Sequence, residues 1–201
     1  MNLPHYPATL RNRDPIATVI REHLPLYGQV LETASGTGEH IVYFAQKFPS
    51  LIWHPSDRED AFFGAIQKRS HTFNNIVQPK QIDVLEENKN IQEKYDALFN
   101  INMIHISRWE TCTGLFSLAQ KILLPHGFVY MYGPYKRNGQ HTASSNATFD
   151  ANLRAQNVLW GVRDMEDVIS VAEQHDFSIR KIIPMPANNF SLLFYRNETD
   201  L

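Results

Sequence analysis

Residues 31–40 read LETASGTGEH. A short apolar run ends in two glycines spaced two apart, and the hydrophobic period then changes. Such a loop either lies flat against a bound ligand or is only a tight turn between a strand and a helix. QVLETA (29–34) predicts a strand. From Glu39 onward Ile41, Phe44, Ala45 and Phe48 recur at helical spacing, and Pro49 follows the end.

The pattern extends outward in both directions. Upstream, residues 1–14 are polar and read as irregular. PIATVIREHLPLY (15–27) then reads as an amphipathic helix, capped by Asp14, opened by Pro15 and ending near Pro25. Downstream, LIWHPSD (51–57) is a second strand and 60–69 a helix. A third strand falls around 76–82, where Pro79 suggests an edge or a late start. YDALFNI (95–101) is nearly continuous in apolar residues, as in a strand buried on both faces. A helix over 114–124, a turn at 125–127 and a strand over 128–132 follow. The polar stretch 139–146 reads as a loop, with a short helix near 149–156. Asp164 caps a helix beginning at 165, and 178–184 and 190–196 are two closing strands.

Alternating strands and helices imply βαβ units and a parallel sheet. The last two strands have no helix between them, so they pair antiparallel. The expected fold is α/β: a single domain over 1–201 with a seven-stranded sheet, parallel except for an antiparallel C-terminal strand, and helices on both faces.

Composition narrows the function. Lys plus Arg total 19 against 21 Asp plus Glu, a formal charge of -2. No broad basic field exists, so nucleic acid is not expected as a partner. The one cysteine, Cys112, excludes an intramolecular disulfide and a Cys-rich zinc site. The nine histidines are scattered without metal-ligand spacing, so no metal is expected. The first fifteen residues lack the pattern of a secretory signal, and no apolar run could span a bilayer. The expectation is a cytoplasmic protein with no membrane partner.

In such a sheet ligands bind beyond the carboxyl ends of the strands, where strand order reverses. Three ligand classes use glycine loops there. A phosphate-binding P-loop needs Lys and Ser/Thr after its last glycine, but Glu39 and His40 follow Gly38. A dinucleotide fingerprint needs a third glycine, and Ile41 stands in its place. Glu39 would also repel a pyrophosphate. The third class is S-adenosyl-L-methionine (SAM), whose pattern is an acid at a strand end followed by alternating small residues. Residues 32–38 supply E-x-A-x-G-x-G, with Glu32, Ala34, Ser35, Gly36 and Gly38 as the binding residues. Asp57 ends the second strand, where it can accept the ribose hydroxyls. Asp83 ends the third, where it can receive the adenine amino group. Each is also an ordinary strand-end residue taken alone.

Several longer motifs carry a family resemblance: RNRDPI (11–16), LETASGTGEH (31–40), WHPSD (53–57), NINMIHISRWE (100–110), GPYKRNGQHTASSNATFDANLR (133–154), WGVRDMEDV (160–168) and MPANN (185–189). Over nearly its whole length the chain resembles the methyltransferase-like 26 family, a domain-of-unknown-function family. The resemblance implies a Rossmann-like class I methyltransferase fold that binds SAM, and it implies no substrate. Ala34 departs from the glycine common in that fold, and alanine tolerates less left-handed backbone.

Methyl transfer needs nucleophile, methyl carbon and sulfur in line, and a base if the nucleophile carries a proton. Asn102 and Met103 fall where the loop after the fourth strand meets the methionine portion and the methyl group. His105 is the candidate general base, with an ordinary pKa of ~6.5; the alternative is a histidine bonded to nearby backbone. Tyr135 and His141 are further catalytic candidates. Trp109, Lys136 and Asn146 are candidates for substrate contact, the last two in a polar lid after the fifth strand. Arg13 could pair with the cofactor carboxylate. Arg163 reads as a structural ion pair. The expected function is SAM-dependent methyl transfer to a small molecule. The alternative is a SAM-binding module without transfer, acting as a sensor or partner subunit. A nicotinamide oxidoreductase is a third reading, weakened by Ile41.

Overall fold

The strand YDALFNI runs through the centre of the molecule, and its alternate side chains feed two separate cores. The coordinates are a computed structural model that describes residues 3–88 and 90–197. Residues 1, 2, 89 and 198–201 of the expected domain lie outside the described residues.

The element order is α1 (Pro7–Ile20), β1 (Gly28–Thr33), α2 (Glu39–Lys47), β2 (Leu51–Asp57), α3 (Phe63–Ser70), β3 (Lys80–Gln81), β4 (Tyr95–Ile101), α4 (Glu110–Ile122) and β5 (Leu123–Gly133). After it come β6 (Tyr135–Arg137), β7 (Gln140–His141), α5 (Ser144–Gln156), β8 (Arg163–Asp164), α6 (Met165–Glu173), β9 (Phe177–Met185) and β10 (Asn189–Arg196). The main sheet has seven strands in the order β3-β2-β1-β4-β5-β10-β9. The first five are parallel. β10 is antiparallel to both its neighbours, β5 and β9. This is the sheet expected from the sequence.

Strand alternation sorts the cores. Val30, Ala97, Phe99 and Tyr130 pack with Ile16 and Ile20 of α1 and Ile41 and Phe44 of α2. Leu31, Leu98, Val129 and Met131 pack on the other face with Leu115 and Phe116 of α4 and Val168 of α6. Strands buried on both faces read as continuous apolar runs for this reason. Among the described residues no helix is long and apolar enough to cross a membrane.

Three expectations are corrected. The first helix starts at Pro7, eight residues before Pro15, and Pro15 lies inside it. Pro7 holds the favoured first-turn position instead, and the Arg11 carbonyl forgoes its usual donor at Pro15. The third strand is only two residues long, with one further bridge from Ile76 to Trp53; Pro79 removes a ladder donor just before it. The stretch after β5 is not a free polar loop. It folds into a three-stranded sheet, β7-β6-β8, and α5 begins at Ser144.

The chain moves outward from β1 to β2 and β3, then returns to β4 on the other side of β1. Strand order therefore reverses between β1 and β4, which places a ligand crevice at their carboxyl ends.

Candidate functional site

A cleft of about 770 Å3 opens at that reversal, within the ~300–1,000 Å3 range of small-molecule sites. Its floor is the loop of residues 34–37. Ala34, Gly36 and Gly38 all take left-handed backbone, with φ of 54°, 51° and 78°. The loop is anchored to β2. Ser35 N–H donates to the Ser56 carbonyl at 2.8 Å, and the Ser56 hydroxyl donates to the Glu32 carbonyl at 2.8 Å. Gly36 N–H donates to Asp57 Oδ2 at 3.1 Å. Asp57 itself lines the cleft, and its Oδ1 makes no hydrogen bond within the described protein.

Ala34 thus occupies the strained conformation that glycine would take without cost. A Cβ at Gly36 would meet no protein atom within 4 Å, so it would project into open space beside the cleft wall. A Cβ at Gly38 would meet Ile66 of α3 at 3.0 Å. Gly38 therefore serves helix packing and does not line the cleft.

Seven expected cofactor residues come together on the cleft wall or floor: Ala34, Ser35, Gly36, Asp57, Asp83, Asn102 and Met103. Asn102 is left-handed at φ 65° and is held by its N–H to the Tyr132 carbonyl at 2.8 Å. Asp83 accepts the Leu85 N–H at 2.9 Å. Glu32 lies beneath the loop, only 2% exposed, with Oε2 unpartnered. Burial pushes its carboxyl up to about 7, and the Asp57 charge adds to the shift.

Arg13 lies away from both the cleft and its loop. The longer α1 turns Thr9, Asn12 and Ile16 inward, and Arg13 points one step around the helix. Its guanidinium sits 4.6 Å from the Tyr43 ring centroid and 3.8 Å from Asp14. Asn12 faces the cleft in its place and accepts from His40 Nε2 at 2.7 Å. Burial pulls the His40 imidazole down to about 4. No local sequence pattern joins Asn12 to His40, 28 residues away; the packing of α1 on α2 does.

Glu39 has a different task from repelling phosphate. It holds the N-terminal segment over the loop, accepting the Tyr6 N–H at 2.9 Å and meeting His5 Nδ1 at 2.5 Å. Burial acts upward on its carboxyl, but Tyr6, His5 and Thr37 outweigh it and hold it below the usual carboxylate range. Arg69 completes the strap by donating to the carbonyls of Thr37 and Pro4.

The expected catalytic residues do not reach the cleft. His105 is fully buried, and its imidazole packs where a Cβ on Gly133 would lie, 2.3 Å from Nε2. Burial, with the Arg163 charge behind it, pulls it down to about 3. Tyr135 is also fully buried, edge-on to His105 with ring centroids 5.1 Å apart, and burial raises its hydroxyl far above the ordinary value. His141 is drawn to Asp150, Nε2 to Oδ2 at 3.3 Å.

The expected substrate residues are likewise committed elsewhere. Lys136 pairs with the same Asp150 at 3.4 Å. Burial acts upward on Asp150, and the Val162 N–H, Arg154 and Lys136 outweigh it to keep the carboxylate ionised. Asn146 is buried and donates to Thr142 and to the Asn188 carbonyl. Trp109 packs against the core with Arg163 5.7 Å over its ring. None of the six lines the cleft.

The opposite wall is built from two segments that follow β4 and α5. Ile106, Ser107 and Arg108 come from the first, and Asn157, Leu159 and Trp160 from the second. Arg163 clasps them together. Its Nε donates to the Ile104 carbonyl at 2.9 Å, and its Nη2 donates to the carbonyls of Ser107 and of Leu159, the latter at 2.8 Å. Arg163 is thus a carbonyl clasp and not the expected ion pair.

A family model described as "Protein of unknown function (DUF938)" matches residues 4–196. The chain belongs to the DUF938 family. Solved structures share its fold at low identity. An O-methyltransferase family protein from Burkholderia thailandensis superimposes with a TM-score of 0.80 at 14% identity, covering 96% of this chain and 58% of that one. An O-methyltransferase family 2 protein from Planctomyces limnophilus, solved with apigenin, gives 0.74 at 15%, covering 94% and 60%. CalO1, a methyltransferase of calicheamicin biosynthesis solved with S-adenosylhomocysteine (SAH), gives 0.72 at 12%, covering 93% and 54%. The DUF938 chain therefore has the Rossmann-like methyltransferase fold and spans just over half the length of these structures.

Proposed function

We propose that this chain is a SAM-dependent methyltransferase acting on a small-molecule acceptor held in the cleft between β1 and β4. Within DUF938, its motifs further support the methyltransferase-like 26 assignment. The observation that carries the reading is the loop itself. Gly36 presents bare main chain, and Asp57 fixes it with one carboxylate oxygen while keeping the other free.

The residues present fit SAM. Asp57 would hold the ribose and Asp83 the adenine amino group. The backbone of residues 34–36, with Asn102 and Met103, would hold the methionine portion. Asn12 and His40 stand where Arg13 was expected to meet the carboxylate. Glu32, buried with Oε2 unpartnered, would supply negative charge once a ligand carrying ammonium and sulfonium groups favours its ionised form. SAM bound there supplies an activated methyl carbon. The protein's own residues would orient it, and the strap of Tyr6 on Glu39 would cover one side from water.

A second reading, binding without transfer, is favoured by one observation: His105, Tyr135 and His141 all stay away from the cleft. Its open volume favours transfer instead. Titration calorimetry with SAM, SAH and NADH tests both. SAM and SAH should bind and NADH should not, and Gly36→Val should abolish binding by placing a branched side chain on the floor. NADH binding alone, or unchanged SAM binding by the variant, would sink the reading. Labelled-methyl transfer to an acceptor then separates enzyme from module.

A further inference from the structure

The cleft is polarised. Its cofactor side carries Glu39, Asp57 and Asp83, with Glu32 beneath. Its opposite wall carries Arg108, with Arg163 behind it. Arg58, the other cation on the cleft, is taken by Glu59 at 2.7 Å. Arg108 makes no ion pair or side-chain hydrogen bond among the described residues. Arg163 donates to carbonyls, lies over the Trp109 ring and makes no ion pair among the described residues, and the acids that act on it are Asp150 and Glu110. Asp150 is already surrounded by Lys136, His141 and Arg154. Net positive charge therefore stands on the acceptor side. The same wall carries apolar side chains: Ile106 and Leu159 line the cleft and remain 48% and 56% exposed.

The cleft also offers an acceptor no working base. His40 is the one histidine on its wall among the described residues, and its Nε2 is spent on Asn12. Glu39 is engaged by His5, Tyr6 and Thr37. Asp57 and Asp83 belong to the cofactor side. An alcohol or ammonium nucleophile would have to shed its proton without help.

We propose that the methyl acceptor is an apolar carboxylic acid, bound as its carboxylate by Arg108 with its body on Ile106 and Leu159, and methylated on oxygen. This rests on the methyltransferase reading above. One carboxylate oxygen pairs with the guanidinium and the other attacks. The new bond is carboxylate oxygen to methyl carbon. The bond that breaks is methyl carbon to sulfonium sulfur, and its electron pair stays on sulfur as a neutral thioether. The negative and positive charges cancel, and no proton moves, so no base is required.

The test has three arms. SAM calorimetry comes first; failure there overturns the methyltransferase reading and not this one alone. Next, the protein is incubated with labelled SAM and a panel of aryl and alkyl carboxylic acids, with the matching alcohols, amines and thiols. Methyl esters release volatile labelled methanol in mild base, whereas ethers, methylamines and thioethers do not. Base-labile product from the acids is expected, at a rate nearly flat between pH 6 and 8 when SAM is saturating, because a carboxyl group of pKa ~4 is already ionised. Finally, binding of a reactive acid to the protein–SAH complex should weaken about tenfold in Arg108→Ala, the scale of one charge-assisted hydrogen bond, with partial recovery in Arg108→Lys. Base-stable product only, no product from any acid while SAM binds normally, or unaltered acid binding by Arg108→Ala would overturn the proposal.

Discussion

Replacing Glu32 by Gln should make the ligand-free protein more stable at high pH and change little at low pH. Glu32 is buried under the glycine loop with one oxygen unpartnered, and its pKa stands at about 7 instead of 4.5. The folded state thus holds this proton across a window where the unfolded chain has lost it. Stability from Glu32 is fullest below pH 4.5 and is lost as pH rises through 7. Each pKa unit is worth about 1.4 kcal/mol, so the shift from 4.5 to about 7 has a ceiling of about 3.5 kcal/mol, of which about 3 develops between pH 4.5 and 9. Glutamine removes the charge at nearly constant shape. Urea unfolding of both proteins at pH 4.5, 7 and 9 should show the variant gaining about 3 kcal/mol on wild type across the range. A cationic ligand should work in the opposite sense, since it favours the ionised carboxylate. Wild-type affinity for SAM should rise through pH 7, and that of Glu32→Gln should stay flat. A stability difference that does not vary with pH would refute the reasoning.

Other perturbations follow from the same coordinates. His40, His54 and His105 are held to about 4, 4 and 3, chiefly by burial. These depressed bases cost stability as pH falls below 6.5, about 2 kcal/mol each at pH 5 for His40 and His105. Acid titration of the melting temperature should show this loss, and Glu32→Gln should make it steeper; a temperature constant from pH 7 to 5 would contradict it. Arg163→Met leaves three carbonyls without their donor and should cost about 3 kcal/mol. Hydrogen exchange should accelerate in 104–108 and 157–161 and stay unchanged in 33–38, and Arg163→Lys should not restore protection because a point charge cannot fork. Ala34→Gly relieves left-handed strain of about 1–2 kcal/mol against a glycine entropy cost of about 0.5–1. Its unfolding midpoint should therefore rise slightly, and a fall would place the strain elsewhere.

The sheet was legible because strands buried on both faces write themselves as apolar runs, and YDALFNI is the clearest case. The missing helix before the last strand disclosed the antiparallel end. Asp57 and the glycine loop were legible as a motif with fixed local spacing. The helix start was not, because Pro15 is a valid opening residue and only the packing of Thr9 and Asn12 shows that the helix begins earlier. The residue that faces the cleft is Asn12 and not Arg13. The opposite wall was hidden for another reason. His105 and Trp109 stand in a polar-looking motif, yet they face the core. Arg108 lies beside them in sequence and lines the cleft, a difference of one position that tertiary packing alone sets. Lys136 of β6, His141 of β7 and Arg154 of α5 gather on Asp150, and only the Asp150–Arg154 spacing is visible as a local pattern.

The most direct measurement is a crystal structure of the protein grown with SAH. The ligand should lie across residues 34–36, its ribose on Asp57, its adenine toward Asp83 and its amino-acid end near Asn12 and Asn102. Ligand bound at another surface, or crystals grown at saturating SAH with none in the crevice between β1 and β4, would contradict the account.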